Sequence, residues 1–129
     1  MKFSEFFHAW LHESYYKNAV SIGKNGDFFT AVSVGNLFGT LLAKHFLDLI
    51  DKKVLKLPLE LVEIGANEGY LSRDFLAALL EFRPEIFSKL SFFIIEPHEK
   101  LRNLQKKTLE GVEFTHKRSL KECHFENAF

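Results

Sequence analysis

Extended and helical patterns alternate in the second half of the chain, and this order restricts the fold more than any other feature. Residues 59–64 alternate apolar and acidic side chains, and residues 91–95 form an almost continuous apolar run. Between them, residues 70–82 place apolar side chains at helical spacing. Further helical and extended segments are expected over 98–108 and 112–115. The order strand–helix–strand–helix–strand predicts a parallel α/β sheet.

The first part of the chain lacks this alternation and is predicted to be a helical region over residues 1–57. One helix is expected to begin near Ser4, and a second over about 34–51 carries a broad apolar stripe. The stretch 15–30 between them is punctuated by turn-forming residues. Residues 58–129 are then expected to form a separate α/β unit.

Charge and composition exclude several classes of protein. The chain of 129 residues carries 17 Lys+Arg and 17 Asp+Glu, so it lacks the basic surplus of a nucleic-acid binder. No apolar run approaches the roughly 18 residues of a membrane span, and the first residues do not resemble a signal peptide. The single Cys123 suits a reducing compartment, which predicts a cytoplasmic protein. His8 and His12 lie four residues apart without further ligands nearby, so we expect no metal.

A glycine-rich turn follows the predicted strand 59–64. Gly65 and Gly69 bracket this turn, where the backbone must bend sharply and a ligand can come close. Glu96 follows the strand 91–95, and a carboxylate there can accept hydrogen bonds from both hydroxyls of a ribose. Because parallel strands end at the same edge of a sheet, the turn and Glu96 are expected to form one ligand site.

Two cofactors fit such a site on general grounds. The dinucleotide fingerprint G-x-G-x-x-G places its acid about 20 residues further on. Here the turn has Asn67 in place of a middle glycine, and Glu96 lies well beyond that distance. Glu68 in the turn would also repel a pyrophosphate. These departures favour S-adenosylmethionine, and an NAD-dependent oxidoreductase stays as a less favoured alternative.

Several further motifs occur in the order found in one known family. They are Tyr15-Tyr16, residues 22–30, Leu37-Phe38-Gly39, Glu63-Ile64-Gly65 with Gly69, and Glu96 followed by Leu101-Arg102 and Gln105. Together they resemble the MidA-like class I methyltransferase family over about residues 15–105. Chance does not readily produce several spaced motifs in one order, so the resemblance is specific.

The resemblance implies an S-adenosylmethionine-dependent methyltransferase with a Rossmann-like fold. The cofactor-binding residues that it implies are Gly26, Asp27, Phe28, Glu63, Gly65, Ala66, Asn67, Gly69 and Glu96. The family includes a mitochondrial complex I assembly methyltransferase that modifies an arginine of a partner protein. A protein substrate is therefore implied, with a respiratory complex subunit as a candidate partner.

Two positions depart from the pattern of that family. Asn67 stands where the family usually has the middle glycine, and its side chain is expected to crowd the cofactor. Val32-Ser33 stands where the family often has Pro-Glu. The alternative to an enzyme is therefore a catalytically inactive methyltransferase-like module that serves in assembly or interaction.

The predicted sheet is incomplete. Three strands are expected, whereas an average sheet holds about five to six, and a further strand is expected to begin at residues 126–129. We therefore predict helices followed by the first half of a Rossmann-like parallel sheet. We expect this chain to be inactive alone, and we expect the residues of the substrate site to lie beyond Phe129. The chain has 15 Phe. Part of them is expected at an exposed apolar edge through which the chain could form a homo-oligomer.

Overall fold

The computed structural model describes residues 4–5 and 35–129. Its elements are α1 (Leu37–Asp51), β1 (Leu59–Ile64), α2 (Tyr70–Phe82), α3 (Pro84–Phe87), β2 (Leu90–Ile95), α4 (Glu99–Thr108) and β3 (Thr115–Lys117), followed by a 3-10 turn (Leu120–Glu122). The strands form one parallel sheet in the order β1-β2-β3. The predicted fold class, helices followed by part of a Rossmann-like α/β sheet, is confirmed. The division at residue 58 stays a prediction.

β1 and β2 pair in parallel over their whole lengths, from Leu59 opposite Leu90 to Ile64 opposite Ile95. The connection between them contains α2 and the short α3. Helix α2 begins directly after the glycine turn and ends where Pro84 prevents its continuation. The predicted bounds of β1 and α2 agree with the structure. Local pattern was sufficient here because the strand alternation and the helical spacing are interrupted by glycine and proline.

β3 lies further along the chain than the predicted 112–115. The turn after α4 contains Gly111 at φ +84°, and Val112 N–H donates to the Leu109 carbonyl. Val112 and Phe114 then pack against the core before the ladder begins with Thr115 opposite Phe93. The prediction was wrong by about three residues. A segment of alternating apolar residues that packs beside a sheet has the same sequence pattern as a strand that pairs within the sheet.

The helices α1 and α2 pack closely against each other. Gly39 of α1 is buried, and a Cβ atom built on it would lie 2.6 Å from the Asp74 Cβ of α2. The missing side chain therefore lets the two backbones approach. Phe46 of α1 and Phe75 of α2 add an aromatic contact between the helices, with their rings edge to face and their centroids 5.6 Å apart. The largest buried cluster forms between these helices and β1.

Residues 127–129 run along the other edge of β1. Glu60 N–H donates to the Asn127 carbonyl at 2.9 Å, and Phe129 N–H donates to the Glu60 carbonyl at 2.8 Å. The contact is parallel, with Glu60 opposite Ala128. In space the order is therefore β3, β2, β1 and then residues 127–129, so the strand order reverses at β1. Open α/β sheets bind ligands at such a reversal, outside the carboxyl ends of the strands.

Large apolar side chains are exposed on one face of α1. Leu37, Phe38 and Leu41 expose 65%, 42% and 53% of their surface. The sequence predicted an exposed apolar edge that contains several Phe residues, whereas this face of α1 has one Phe beside two Leu. Homo-oligomer formation through an apolar edge stays a prediction. Within the described residues, no helix combines the length and the apolar character that crossing a membrane requires.

Candidate functional site

The turn after β1 has a left-handed backbone at alternate residues. The φ angles are +69° at Gly65, +53° at Asn67 and +89° at Gly69. Gly69 N–H donates to the Ala66 carbonyl at 2.8 Å and closes the turn. Glycine adopts this region without a steric cost, and Asn enters it more readily than other residues with a side chain. Asn67 therefore meets the backbone requirement of the middle position, even though it departs from the family's usual glycine.

The two glycines of the turn have different surroundings. A Cβ atom on Gly65 would meet no atom within 4 Å, so this side of the turn is open. A Cβ atom on Gly69 would lie 3.6 Å from the Gln105 and Leu109 side chains of α4 and its C-terminal end. Ala66 is 6% exposed and belongs to the core cluster there. Of the two glycines, Gly65 offers an open approach, while Gly69 and the neighbouring Ala66 hold the turn against the C-terminal part of α4.

Glu63 ties the end of β1 to the beginning of α2. The buried Ser72 hydroxyl of α2 donates a hydrogen bond to Glu63 Oε2. Burial raises the pKa of the Glu63 carboxyl, and the hydrogen bond from Ser72 opposes this in part. Glu63 also borders a cavity of about 130 Å³ with Leu71 and Phe129. Glu63 therefore links the last residues of β1 to the first turn of α2, and its contact with the cofactor stays a prediction.

Glu96 lies directly after β2 and is 2% exposed. Its Oε1 accepts a hydrogen bond from His98 N–H at 2.9 Å, and its own N–H donates to the Lys117 carbonyl of β3. One residue earlier, the Ile95 carbonyl accepts a hydrogen bond from Gly65 N–H at 3.2 Å. The structure thus brings Glu96 and the turn together at the carboxyl ends of neighbouring strands, as the sequence predicted.

Helix α4 supplies contacts to both parts of the site. Arg102 Nη1 donates to the Glu96 carbonyl at 3.0 Å and to the Pro97 carbonyl at 2.7 Å. Gln105 Nε2 donates to the Asn67 carbonyl of the turn at 2.7 Å. The sequence contained both residues among the family motifs but gave them no role. A polar residue on the apolar face of a short helix was the signal that could have identified Gln105.

Helix α2 begins at the turn with its amide groups unprotected by a side chain. Gly69 is its N-cap residue and makes no side-chain cap. Such a helix end favours an anionic group through its amides and its dipole. Next to it, a hydrogen bond with Glu68 raises the pKa of Tyr70. The N-terminal end of α2 thus suits an anionic group. The carboxylates of Glu68 and Glu96 nearby suit a cationic group or a hydrogen-bond donor.

Some predicted residues lie outside the described part of the chain. These are Gly26, Asp27, Phe28 and the histidine pair His8 and His12. Within residues 4–5 and 35–129, no group of three or more His, Cys, Asp or Glu side chains could hold a metal ion.

The site offers groups that complement S-adenosylmethionine. Such a ligand carries ribose hydroxyls, a positive sulfonium, an ammonium and a carboxylate. The open side of Gly65 gives room for a close approach, and Glu96 offers a desolvated acceptor beside it. Asn67 Oδ1 is a buried acceptor without a hydrogen-bond partner among the described residues. Because buried acceptors normally have a donor, this atom suits a ligand that brings one. The residues present fit the cofactor.

Comparisons with known proteins agree with this fit. Residues 41–127 match a family described as S-adenosyl-L-methionine-dependent methyltransferases. The mitochondrial protein arginine methyltransferase NDUFAF7 homolog of Drosophila melanogaster is 32% identical over 82 residues, 64% of this chain and 18% of the relative. The Bos taurus protein arginine methyltransferase NDUFAF7 is 29% identical over 98 residues, 75% of this chain and 22% of the relative.

The same protein of Homo sapiens is 28% identical over 98 residues, again 75% of this chain and 22% of the relative. The chain therefore spans about a fifth of the length of these curated relatives. All three relatives are named as mitochondrial proteins, and this overturns the expected cytoplasmic location. The expectation was wrong because cysteine usage reflects redox conditions and does not determine the compartment to which a protein is directed.

Proposed function

Since this chain belongs to the family of S-adenosyl-L-methionine-dependent methyltransferases, as its motifs predicted, we propose that residues 58–129 are the cofactor-binding half of such an enzyme. S-adenosyl-L-methionine supplies an activated methyl group on a positive sulfur. The residues of this chain bind and orient that cofactor at the edge where β1 and β2 end. The observation that carries the proposal is the triple left-handed turn at Gly65, Asn67 and Gly69 beside the buried Glu96.

Glu96 is proposed to accept hydrogen bonds from the ribose hydroxyls. Its Oε1 is held by His98 N–H, which fixes the carboxylate in one orientation. A carboxylate oxygen has capacity for further hydrogen bonds beyond this one. Because Glu96 is removed from water, hydrogen bonds to its charge are stronger than they would be at the surface.

The glycine turn is proposed to receive the amino-acid part of the cofactor. The open side of Gly65 permits backbone contact, and the amides of α2 suit its carboxylate. Asn67 Oδ1 is an acceptor for a donor such as the ammonium group. Glu63 holds the turn through Ser72. In this proposal residues 26–28 line or brace the same pocket from the N-terminal region.

A protein arginine is the methyl acceptor that we propose for the whole enzyme. The support is that the relatives are named as protein arginine methyltransferases. A guanidinium acceptor needs carboxylates that hold it in a fixed orientation. A respiratory complex subunit as the protein partner stays a prediction.

Calorimetric titration of the full chain with S-adenosyl-L-methionine tests the proposal. Wild type should bind the cofactor, and Glu96→Gln should bind at least about tenfold more weakly, because it loses the charge that strengthens these hydrogen bonds. Glu99→Gln, an exposed acid of α4, is the matched control and should bind normally. Parallel titration with NADH should show no saturable binding. Unchanged affinity in Glu96→Gln would contradict the assignment.

A further inference from the structure

Two side-chain hydrogen bonds connect the glycine turn to β3. Gln105 of α4 is fully buried, and its Nε2 donates to the Asn67 carbonyl at 2.7 Å. Its Oε1 lies 2.7 Å from His116 Nε2 of β3. Three separate parts of the chain therefore meet at one amide group, which has no access to water.

The orientation of this amide follows from its partners. A backbone carbonyl can only accept, so the atom of Gln105 that faces Asn67 must be the nitrogen. The oxygen of Gln105 then faces His116, and His116 Nε2 must carry a proton to donate to it. Both the neutral ring with its proton on Nε2 and the charged ring satisfy this arrangement. His116 therefore holds the Gln105 amide in the one orientation that can bind the turn.

The bond to Asn67 acts at the residue where the turn is most restricted. Asn67 has φ +53°, a conformation that residues with a side chain adopt at a cost. The hydrogen bond from Gln105 to the Asn67 carbonyl stabilises this backbone conformation. It does not cover the open side of Gly65. Arg102, one helical turn earlier on α4, holds the Glu96 and Pro97 carbonyls. One helix thus positions both parts of the site.

We propose that Gln105 is a positioning residue for the cofactor loop and that His116 keeps its amide in the orientation required. The proposal rests on the proposed function, since it assumes that the turn binds S-adenosyl-L-methionine. Neither residue needs to touch the cofactor. Their effect on binding passes through the Asn67 backbone.

Four variants of the full chain separate this role from a general contribution to stability. Gln105→Met is of similar size but makes no hydrogen bond to Asn67. His116→Phe removes the donor, whereas His116→Gln retains one and tests rescue. Ile86→Ala is the stability control, because Ile86 is buried in α3, before β2 and away from its carboxyl end. Each variant is titrated with S-adenosyl-L-methionine, and exchange of the amides at 65–69 is measured without ligand.

Gln105→Met and His116→Phe are expected to bind the cofactor at least about fivefold more weakly and to exchange the turn amides faster. His116→Gln should bind within about twofold of wild type. Ile86→Ala should melt earlier but bind normally. Equal binding in wild type, Gln105→Met and His116→Phe would overturn the proposal. A wild-type chain that does not bind the cofactor would instead overturn the proposed function, and this assignment with it.

Discussion

At the scale of single residues, Asn67 shows how a departure from a motif can preserve its geometry. The sequence suggested that its side chain would crowd the cofactor. In the structure its backbone has the left-handed conformation of a middle glycine, and Oδ1 is a buried acceptor. Residue identity alone could not reveal this, because φ depends on how Gln105 and the neighbouring glycines fix the turn. The departure is therefore a weak reason to regard the chain as inactive.

Asn67→Ala is predicted to destabilise the chain by about 1 kcal/mol, because Ala adopts positive φ less readily than Asn. Asn67→Gly should stay within about 0.5 kcal/mol of wild type. Glycine adopts positive φ without steric strain, but it also makes the unfolded chain more flexible, and the two effects oppose each other. Urea unfolding followed by circular dichroism measures both changes. An alanine variant as stable as wild type would show that the turn does not impose this conformation.

Glu63 predicts a dependence of stability on pH. Burial raises the pKa of its carboxyl above the ordinary 4.5, so the folded chain holds this proton more tightly than the unfolded chain does. The stability from protonated Glu63 is therefore present below pH 4.5 and is lost as pH rises through the folded pKa. Glu63→Gln keeps an oxygen for Ser72 and carries no charge. It should melt at a higher temperature than wild type at pH 7, and the difference should shrink toward pH 4.

Melting curves from pH 4 to pH 8 measure this effect. Glu113→Gln, an exposed acid near β3, serves as the control and should follow wild type at every pH. A Glu63→Gln variant less stable than wild type at pH 7 would mean that the charged carboxylate stabilises the fold there.

At the scale of elements, the sequence predicted what local pattern determines. β1 and α2 agree with their predicted bounds. β3 was misplaced because pairing and packing share one alternating pattern. The contacts of α4 with the turn also escaped prediction. They join residues far apart in the chain, and no local pattern encodes which carbonyl Gln105 reaches.

Gly39→Ala is predicted to separate α1 and α2. The new Cβ would lie 2.6 Å from the Asp74 Cβ and 3.0 Å from the Phe75 backbone nitrogen, so the helices must shift. Overpacking of this kind costs about 1–3 kcal/mol, and the better helix propensity of Ala recovers up to about 1 kcal/mol. A net loss on the order of 1 kcal/mol is expected in urea unfolding. His45→Ala, at an exposed position of α1, should change little; equal stability of the two variants would contradict the close contact.

At the scale of the whole molecule, the strand order determines where a ligand can bind. Residues 127–129 lie beside β1 on the side opposite to β2, so the reversal in strand order falls next to the glycine turn. Asn127 fixes this arrangement, because its side-chain amide donates to the Lys56 and Pro58 carbonyls at 2.7 and 2.8 Å. The sequence predicted that a strand begins here. Its side of the sheet follows from contacts between distant residues.

In the proposed function, the carboxyl ends of β1 and β2 bind S-adenosyl-L-methionine. Titration of the ¹⁵N-labelled chain with this cofactor, followed by amide chemical shifts, tests it most directly. We predict saturable shifts at Gly65, Asn67, Gly69 and Glu96. We predict none at Lys89 and Ser91, which lie near the amino ends of the strands. Saturable shifts confined to those amino ends, or no shifts at the turn with excess cofactor, would show that the cofactor does not bind at this site.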